Sequence, residues 1–298
     1  MFAYTVEPLY VKSGQDVIAA DFYHPKHIER PPVIVMAHGF ALLRQFKLVQ
    51  FAKRFARAGY AVVLFDYRYW GGSTGRPREL ISLKLQLEDW RTMISHLSER
   101  QSVDNSRIIL WGTGLSGGYV LNLAATLANV KAVITQVPFV DGNDYGKRYP
   151  IQYMPKALKI SSQDYMAAKI AMQPKTMPII EPNHLSFFSS HDYYEGYLSV
   201  LNPDYFWTGE VPARVFFSLL RFRPIQKVQQ INVPVLMIAA QHDSQISIEA
   251  VRETATNMGA YVEYHEWNMH HFDIYHGHYF ENAISTQLEF LSQHIRVT

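Results

Sequence analysis

The stretch from Arg107 to Leu127 constrains this chain more than any other. A β-branched apolar run, Arg107-Ile108-Ile109-Leu110-Trp111, leads directly into Gly112-Thr113-Gly114-Leu115-Ser116-Gly117-Gly118. An apolar helical pattern follows through Val120, Leu121, Leu123, Ala124 and Leu127. Glycines this dense between a strand and a helix mean a turn in which side chains would collide with neighbouring backbone. Such a strand has to be interior, and the rest of the sequence supplies its neighbours. Val33–Met36, Ala61–Phe65, Ala132–Ile134 and Pro234–Ala239 read as further short buried strands. Leu48, Phe51 and Phe55, then Leu83, Leu87, Trp90, Ile94 and Leu97, fall at the three/four spacing of one-faced helices. Strand–helix alternation predicts an α/β fold with a doubly wound, mostly parallel sheet. A helix through Ile248, Val251, Ala255 and Met258, a strand over 261–265 and a helix over about 280–294 close it. An N-terminal hairpin, Tyr4–Lys12 with Asp16–Tyr23, opens it.

Residues 141–225 interrupt this rhythm, holding eight of the 15 prolines but only four of the 16 glycines. They are expected to form an inserted, mostly helical cap, leaving 1–140 and 226–298 as the core. The 298 residues contain no cysteine, which excludes disulfides, a thiol nucleophile and Cys-ligated metal sites. With 28 basic and 26 acidic side chains the formal charge is +2. That predicts no nucleic-acid partner, because such a footprint is strongly basic. The start shows no basic and apolar leader, and the longest apolar run, Ala61–Phe65, is far too short to span a bilayer. A cytoplasmic protein without a membrane partner, and possible as a homodimer, is therefore expected.

The glycine-rich turn parses in two ways. Gly112-x-Gly114-x-x-Gly117 is a dinucleotide fingerprint; Gly114-x-Ser116-x-Gly118 is a nucleophile elbow. A dinucleotide site needs a carboxylate at the end of the next strand, and none precedes Asp141. An elbow needs an acid and then a histidine after later strands, and Asp243 and His271 follow the last two. The elbow predicts Ser116 as nucleophile, His271 as base and Asp243 as its orienting acid. His270 and Asp141 remain rivals for the last two roles. The histidine-rich segment does not read as a metal site, since Met269 stands where H-E-x-x-H after His265-Glu266 needs its second histidine.

The sequence resembles the α/β-hydrolase superfamily along nearly its whole length. His38-Gly39-Phe40 is similar to that family's oxyanion loop, and Phe65-Asp66-Tyr67-Arg68 followed by Gly71-Gly72-Ser73 to its strand-4 signature. Gly112–Gly118, Val137-Pro138-Phe139-Val140-Asp141-Gly142 and His271-Phe272-Asp273-Ile274-Tyr275 resemble the X-Pro-dipeptidyl-peptidase-like and polyketide-transferase-like serine hydrolases. The resemblance implies an oxyanion hole from the amides of Phe40 and Gly117, no cofactor and no metal. It implies hydrolysis of an ester, thioester or amide of a small apolar acyl substrate through an acyl-enzyme. Transfer of the acyl group to an alcohol or amine is the alternative, and a catalytically silent binding protein the other. Aromatic residues of the insertion, Tyr193, Tyr194, Phe206, Trp207, Phe216 and Phe217, are expected either to line an acyl pocket or to form plain cap core.

Overall fold

The structure is a computed structural model that describes residues 1–205 and 208–297. Its core is an eight-stranded sheet. The strands are β1 (Tyr4–Ser13), β2 (Asp16–Pro25), β3 (Pro32–Ala37), β4 (Ala61–Phe65), β5 (Asp104–Thr113), β6 (Val130–Gln136), β9 (Val235–Ala240) and β10 (Val262–Trp267). They lie in the order β1-β2-β4-β3-β5-β6-β9-β10. From β4 to β10 all pairings are parallel, whereas β1 and β2 form the expected hairpin and join β4 antiparallel. Every residue of β3, β4 and β9 is buried, which is why those strands read as unbroken apolar runs.

The covering helices follow their apolar spacing. They are α1 (Leu48–Arg57), α2 (Leu83–Ser98), α3 (Leu115–Ala124), α8 (Ile248–Met258) and α9 (Gly277–His294). Helix α1 turns Leu48, Phe51 and Phe55 inward, and α2 turns in Trp90, Ile94 and Leu97. All ten residues of α3 are buried, so its sequence is apolar all round rather than striped. Among the described residues no helix is long and apolar enough to cross a membrane.

Between β6 and β9 the chain forms α4 (Gly142–Arg148), α5 (Met154–Lys169), α6 (His191–Val200) and α7 (Val215–Arg221). Two short strands, β7 (Thr176–Pro178) and β8 (Glu210–Pro212), pair antiparallel among them. The sequence carried no sign of that ribbon, because three-residue strands leave no periodicity. Phe206 and Trp207 lie outside the described residues.

The sequence predicts a strand ending at Trp111, but β5 continues to Thr113. Gly112 pairs with Ala37 and Thr135, and Thr113 with Gln136. Helix α3 starts at Leu115, so strand and helix are joined by one residue. Gly118 lets this helix seat. A methyl group there would lie 2.2 Å from the Phe139 carbonyl oxygen and 3.0 Å from the Phe222 ring. Gly118→Ala should therefore lower unfolding stability by about 1–3 kcal/mol through overpacking. Urea denaturation would show this as a lower midpoint at unchanged slope.

Candidate active site

The junction of β5 and α3 fixes the site. Gly114 alone makes the turn, at φ 55° and ψ −121°, a conformation that costs any residue with a Cβ. Its N–H donates to the Gln136 carbonyl at 3.1 Å, and its carbonyl accepts from the Phe139 N–H at 2.9 Å. In a nucleophile elbow the nucleophile occupies this strained strand-to-helix turn. Here a glycine occupies it. A Cβ built on Gly114 would lie 3.7 Å from His271 Nε2 and 3.8 Å from Gly39 Cα.

Ser116 sits two residues into α3 and is fully buried. Its hydroxyl donates to the His38 carbonyl. With that proton committed, Tyr67 donates to Ser116 Oγ at 2.5 Å, and Trp90 Nε1 donates to the Tyr67 hydroxyl at 2.8 Å. This chain of donors ties α2, the loop after β4, α3 and the loop after β3 together. The nucleophile role expected of Ser116 is therefore not met by this geometry, because the hydroxyl faces His38 and Tyr67 rather than His271. The oxyanion role expected of Gly117 is not met by this geometry either. A Cβ on Gly117 would lie 2.6 Å from Thr135 Oγ1 and 3.0 Å from Pro138, so that residue faces β6. The residue after the turn is Leu115, and it lines one cavity with Gly39, Phe40, Gly114 and His271.

The structure brings Asp243 and His271 together. They follow the carboxyl ends of neighbouring parallel strands, β9 and β10, in register at Ala240 and Trp267. His271 Nδ1 donates to Asp243 Oδ2 at 2.5 Å. The other carboxylate oxygen, Oδ1, accepts the backbone N–H groups of Gln245 and Ile246, both at 2.9 Å. A proton on Nδ1 leaves Nε2 as the basic nitrogen, and Nε2 is the atom nearest Gly114. The rivals point elsewhere. Asp141 caps α4 through the Asn143 N–H and holds Arg223 in a bidentate pair at 2.7 and 2.9 Å. His270 is exposed, 3.6 Å from Asp192. Among the described residues no group of three or more His, Asp or Glu side chains converges as a metal site.

The cavity over Gly114 has a volume of about 30 Å³. That accommodates a water but not an acyl group. Its walls are Leu42, Phe139, Tyr145, Phe188, Tyr193, Tyr197, Leu219, Ile246, Phe272 and Tyr275. The hydroxyls of Tyr145, Tyr197 and Tyr275 are held by Phe187, Ala41 and Thr113. A second cavity of about 420 Å³ adjoins it across Tyr193, His271 and Phe272. Of the six aromatic residues singled out in the insertion, Tyr193 reaches the site, its ring 5.1 Å from that of His271. Phe216 is instead buried among Tyr145, Tyr149 and Phe187.

Beneath the site, His38 is buried and donates Nδ1–H to the Gly39 carbonyl at 2.9 Å. Burial lowers its pKa from the ordinary 6.5, outweighing the pull of Asp66. His96 and His276 are lowered in the same direction, also by burial. These groups bind protons more weakly folded than unfolded. Their stabilisation is fully present above pH 6.5 and falls as the pH drops below it toward the folded values. His38→Asn should flatten the loss of urea midpoint between pH 7 and pH 5, and an unchanged slope would assign the acid sensitivity to other groups.

The comparisons with known proteins agree with this architecture. The family described as serine aminopeptidase, S33, matches over residues 29–278. The chain is 34% identical to the quorum-quenching protein AidA of Acinetobacter baumannii, over 94% of this chain and 92% of that one. It is 24% identical to the thiohydrolase aneE of Aspergillus aculeatus, over 87% and 85%, and fungal polyketide transferases are similar to it as well. The crystal structure of the α/β hydrolase GrgF from Penicillium sp. sh18 superimposes with a TM-score of 0.84 at 21% identity, covering 98% of this chain and 99% of that one. The chain belongs to the serine aminopeptidase S33 family and is an α/β hydrolase.

Proposed function

We propose that this α/β hydrolase cleaves an ester or thioester of an apolar acyl group by direct attack of water, without an acyl-enzyme. The observation that carries this is Gly114 at the elbow, opposite the basic nitrogen of His271. Every serine hydrolase runs a second half-reaction in which the histidine activates water against a carbonyl held at the oxyanion amides. A glycine at the elbow removes the covalent half and leaves this one. His271 Nε2 takes a proton from water as the water oxygen bonds to the carbonyl carbon. The oxyanion forms against the N–H groups of Phe40 and Leu115, the counterparts of the family's two donors. Collapse breaks the bond to the leaving alkoxide or thiolate, and the imidazolium returns the proton to it. Asp243 holds the ring and stabilises its charged form. The apolar walls favour an apolar acyl chain, and the thiohydrolase among the relatives favours a thioester. Access for such a chain requires displacement of the aromatic wall, since the cavity is water-sized.

Gly114 also supports a second reading, a binding protein that keeps the pocket and has given up the chemistry. Covalent labelling and kinetics separate the two. A fluorophosphonate should leave the wild-type protein unmodified, whereas Gly114→Ser should be labelled at residue 114, one bond beyond a Cβ already 3.7 Å from the base. Labelling of Ser116 in the wild type would restore the acyl-enzyme route. With activated esters and thioesters the wild type should show no burst, and His271→Ala should lower turnover by roughly 10²–10⁴-fold. Acyl ligands that bind but turn over no faster than in the His271→Ala protein would establish the binding reading.

A further inference from the structure

Helix α5 is built inside out. The residues it turns toward the fold are small or polar: Ala157, Ser161, Asp164 and Ala167. Ser161 donates to the Ala213 carbonyl at 2.9 Å, and Asp164 accepts the backbone N–H groups of Lys175 and Arg214 and pairs with the Arg214 guanidinium. Met154 and Ile160 are half-buried against the core, but the other large apolar residues of the helix face outward. Leu158, Tyr165, Met166 and Ile170 recur at one-face helical spacing, and Ile151 and Met172 extend the stripe at either end. Ile151 is 82% exposed and Ile170 66%. Among the described residues, six of the thirteen exposed large hydrophobic side chains fall within these 22 positions. Exposed apolar residues scattered singly need no partner, but a contiguous stripe marks a contact surface.

The charge around the stripe indicates what it contacts. Residues 147–175 hold six cations, Lys147, Arg148, Lys156, Lys159, Lys169 and Lys175, against the single carboxylate of Asp164, which is buried. That is a net +5 in a chain of net +2, so the remainder is acidic by 3. All six cations are exposed. Arg148 is paired with Asp144 and Glu249, while the five lysines meet no carboxylate within ion-pair distance among the described residues. Lys169 lies over the Tyr165 ring at 4.7 Å, its stem along the apolar stripe and its ammonium at the edge.

We infer that α5 and its flanks dock this protein on an anionic lipid surface. An apolar stripe interspersed with and flanked by lysines, on a helix about 24 Å long, has the composition of helices that lie in the bilayer interface. A second copy fits poorly, since two such faces would bring ten unpaired lysines together. The expectation of no membrane partner rests on the lack of a spanning apolar run, which does not bear on a helix that lies in the interface. The inference is independent of the catalytic proposal and needs no turnover to be tested.

Co-sedimentation with lipid vesicles tests it. Wild-type protein should pellet with phosphatidylserine–phosphatidylcholine vesicles, stay in solution with phosphatidylcholine alone, and be released by salt. Each lysine near the surface contributes about fivefold to partitioning. Lys156→Ala/Lys159→Ala/Lys169→Ala should therefore bind about a hundredfold more weakly. Met166→Ser/Ile170→Ser should weaken binding through the apolar term alone. All these residues are exposed, so unchanged thermal melts would show that both variants fold. Equal pelleting of wild type and both variants, or no pelleting of the wild type, would overturn the inference. So would a dimer in sedimentation velocity that Met166→Ser/Ile170→Ser dissolves, or binding to an acidic polymer that ignores the apolar substitutions.

Discussion

Everything around the candidate site depends on a single-residue turn. Strand β5 keeps its ladder through Thr113, and α3 begins at Leu115, so Gly114 must reverse the chain alone. That requirement fixes where the first amides of α3 point. It places the His38–Phe40 loop against the helix, with a Cβ on Gly39 only 3.2 Å from the Thr113 carbonyl oxygen. It also buries Ser116 one layer below the cavity, where its hydroxyl becomes the third member of the Trp90–Tyr67–Ser116–His38 chain. Buried hydrogen-bonded chains of this kind are costly to break, because each group left without its partner keeps its desolvation penalty. Ser116 is thus held in its structural role by four elements at once.

The same turn underlies the proposed chemistry. A serine at position 114 would carry the elbow strain and the nucleophile together; a glycine carries neither. What survives is an acid–base pair of two loops that the parallel pairing of β9 and β10 delivers side by side. Asp243 is more than a partner for His271. Its second oxygen is occupied by two backbone N–H groups, so the carboxylate cannot swing away, and the imidazole tautomer is fixed with it. An oriented base on a water-sized cavity is suited to activating a small molecule such as water.

Most of the sheet was legible because fully buried parallel strands have no polar alternation to hide. The hairpin, the strands and the three/four-spaced helices all appear, with some ends displaced by about two residues, as where β5 runs on to Thr113 and β10 to Trp267. Asp243 and His271 were legible for a related reason: both follow the ends of strands, where functional loops of such sheets lie. Ser116 misled because glycine erases the boundary between strand and helix. With Gly112, Gly114, Gly117 and Gly118 in seven residues, the turn can be drawn at either of two places, and only the ladder partners of Gly112 and Thr113 fix it. An elbow drawn two residues earlier, Gly112-x-Gly114-x-Ser116, has the same small-residue spacing with its central hydroxyl missing. A search for a serine passes over it. The ribbon β7–β8 was invisible because three residues carry no period.

The segment between β6 and β9 shows how one element serves two surfaces. Its inner side sends Tyr145, Phe188, Tyr193, Tyr197 and Leu219 to the cavity and closes it to the size of a water. Its outer side carries the exposed stripe of α5. The two are mechanically connected, since α5 packs on α7, and α7 provides Leu219. The fully buried residues of α5 are two alanines, a serine and the aspartate of a charged pair, while Met154 and Ile160 are only half-buried. Small and polar contacts bury little apolar area, so they hold α5 in place without adding much to the barrier for displacing it. The opening that the proposed apolar substrate would require is better served this way than by interlocked leucines. Keeping Leu158, Tyr165 and Met166 of α5 on the outside meets that requirement, and it leaves them free for the inferred lipid surface.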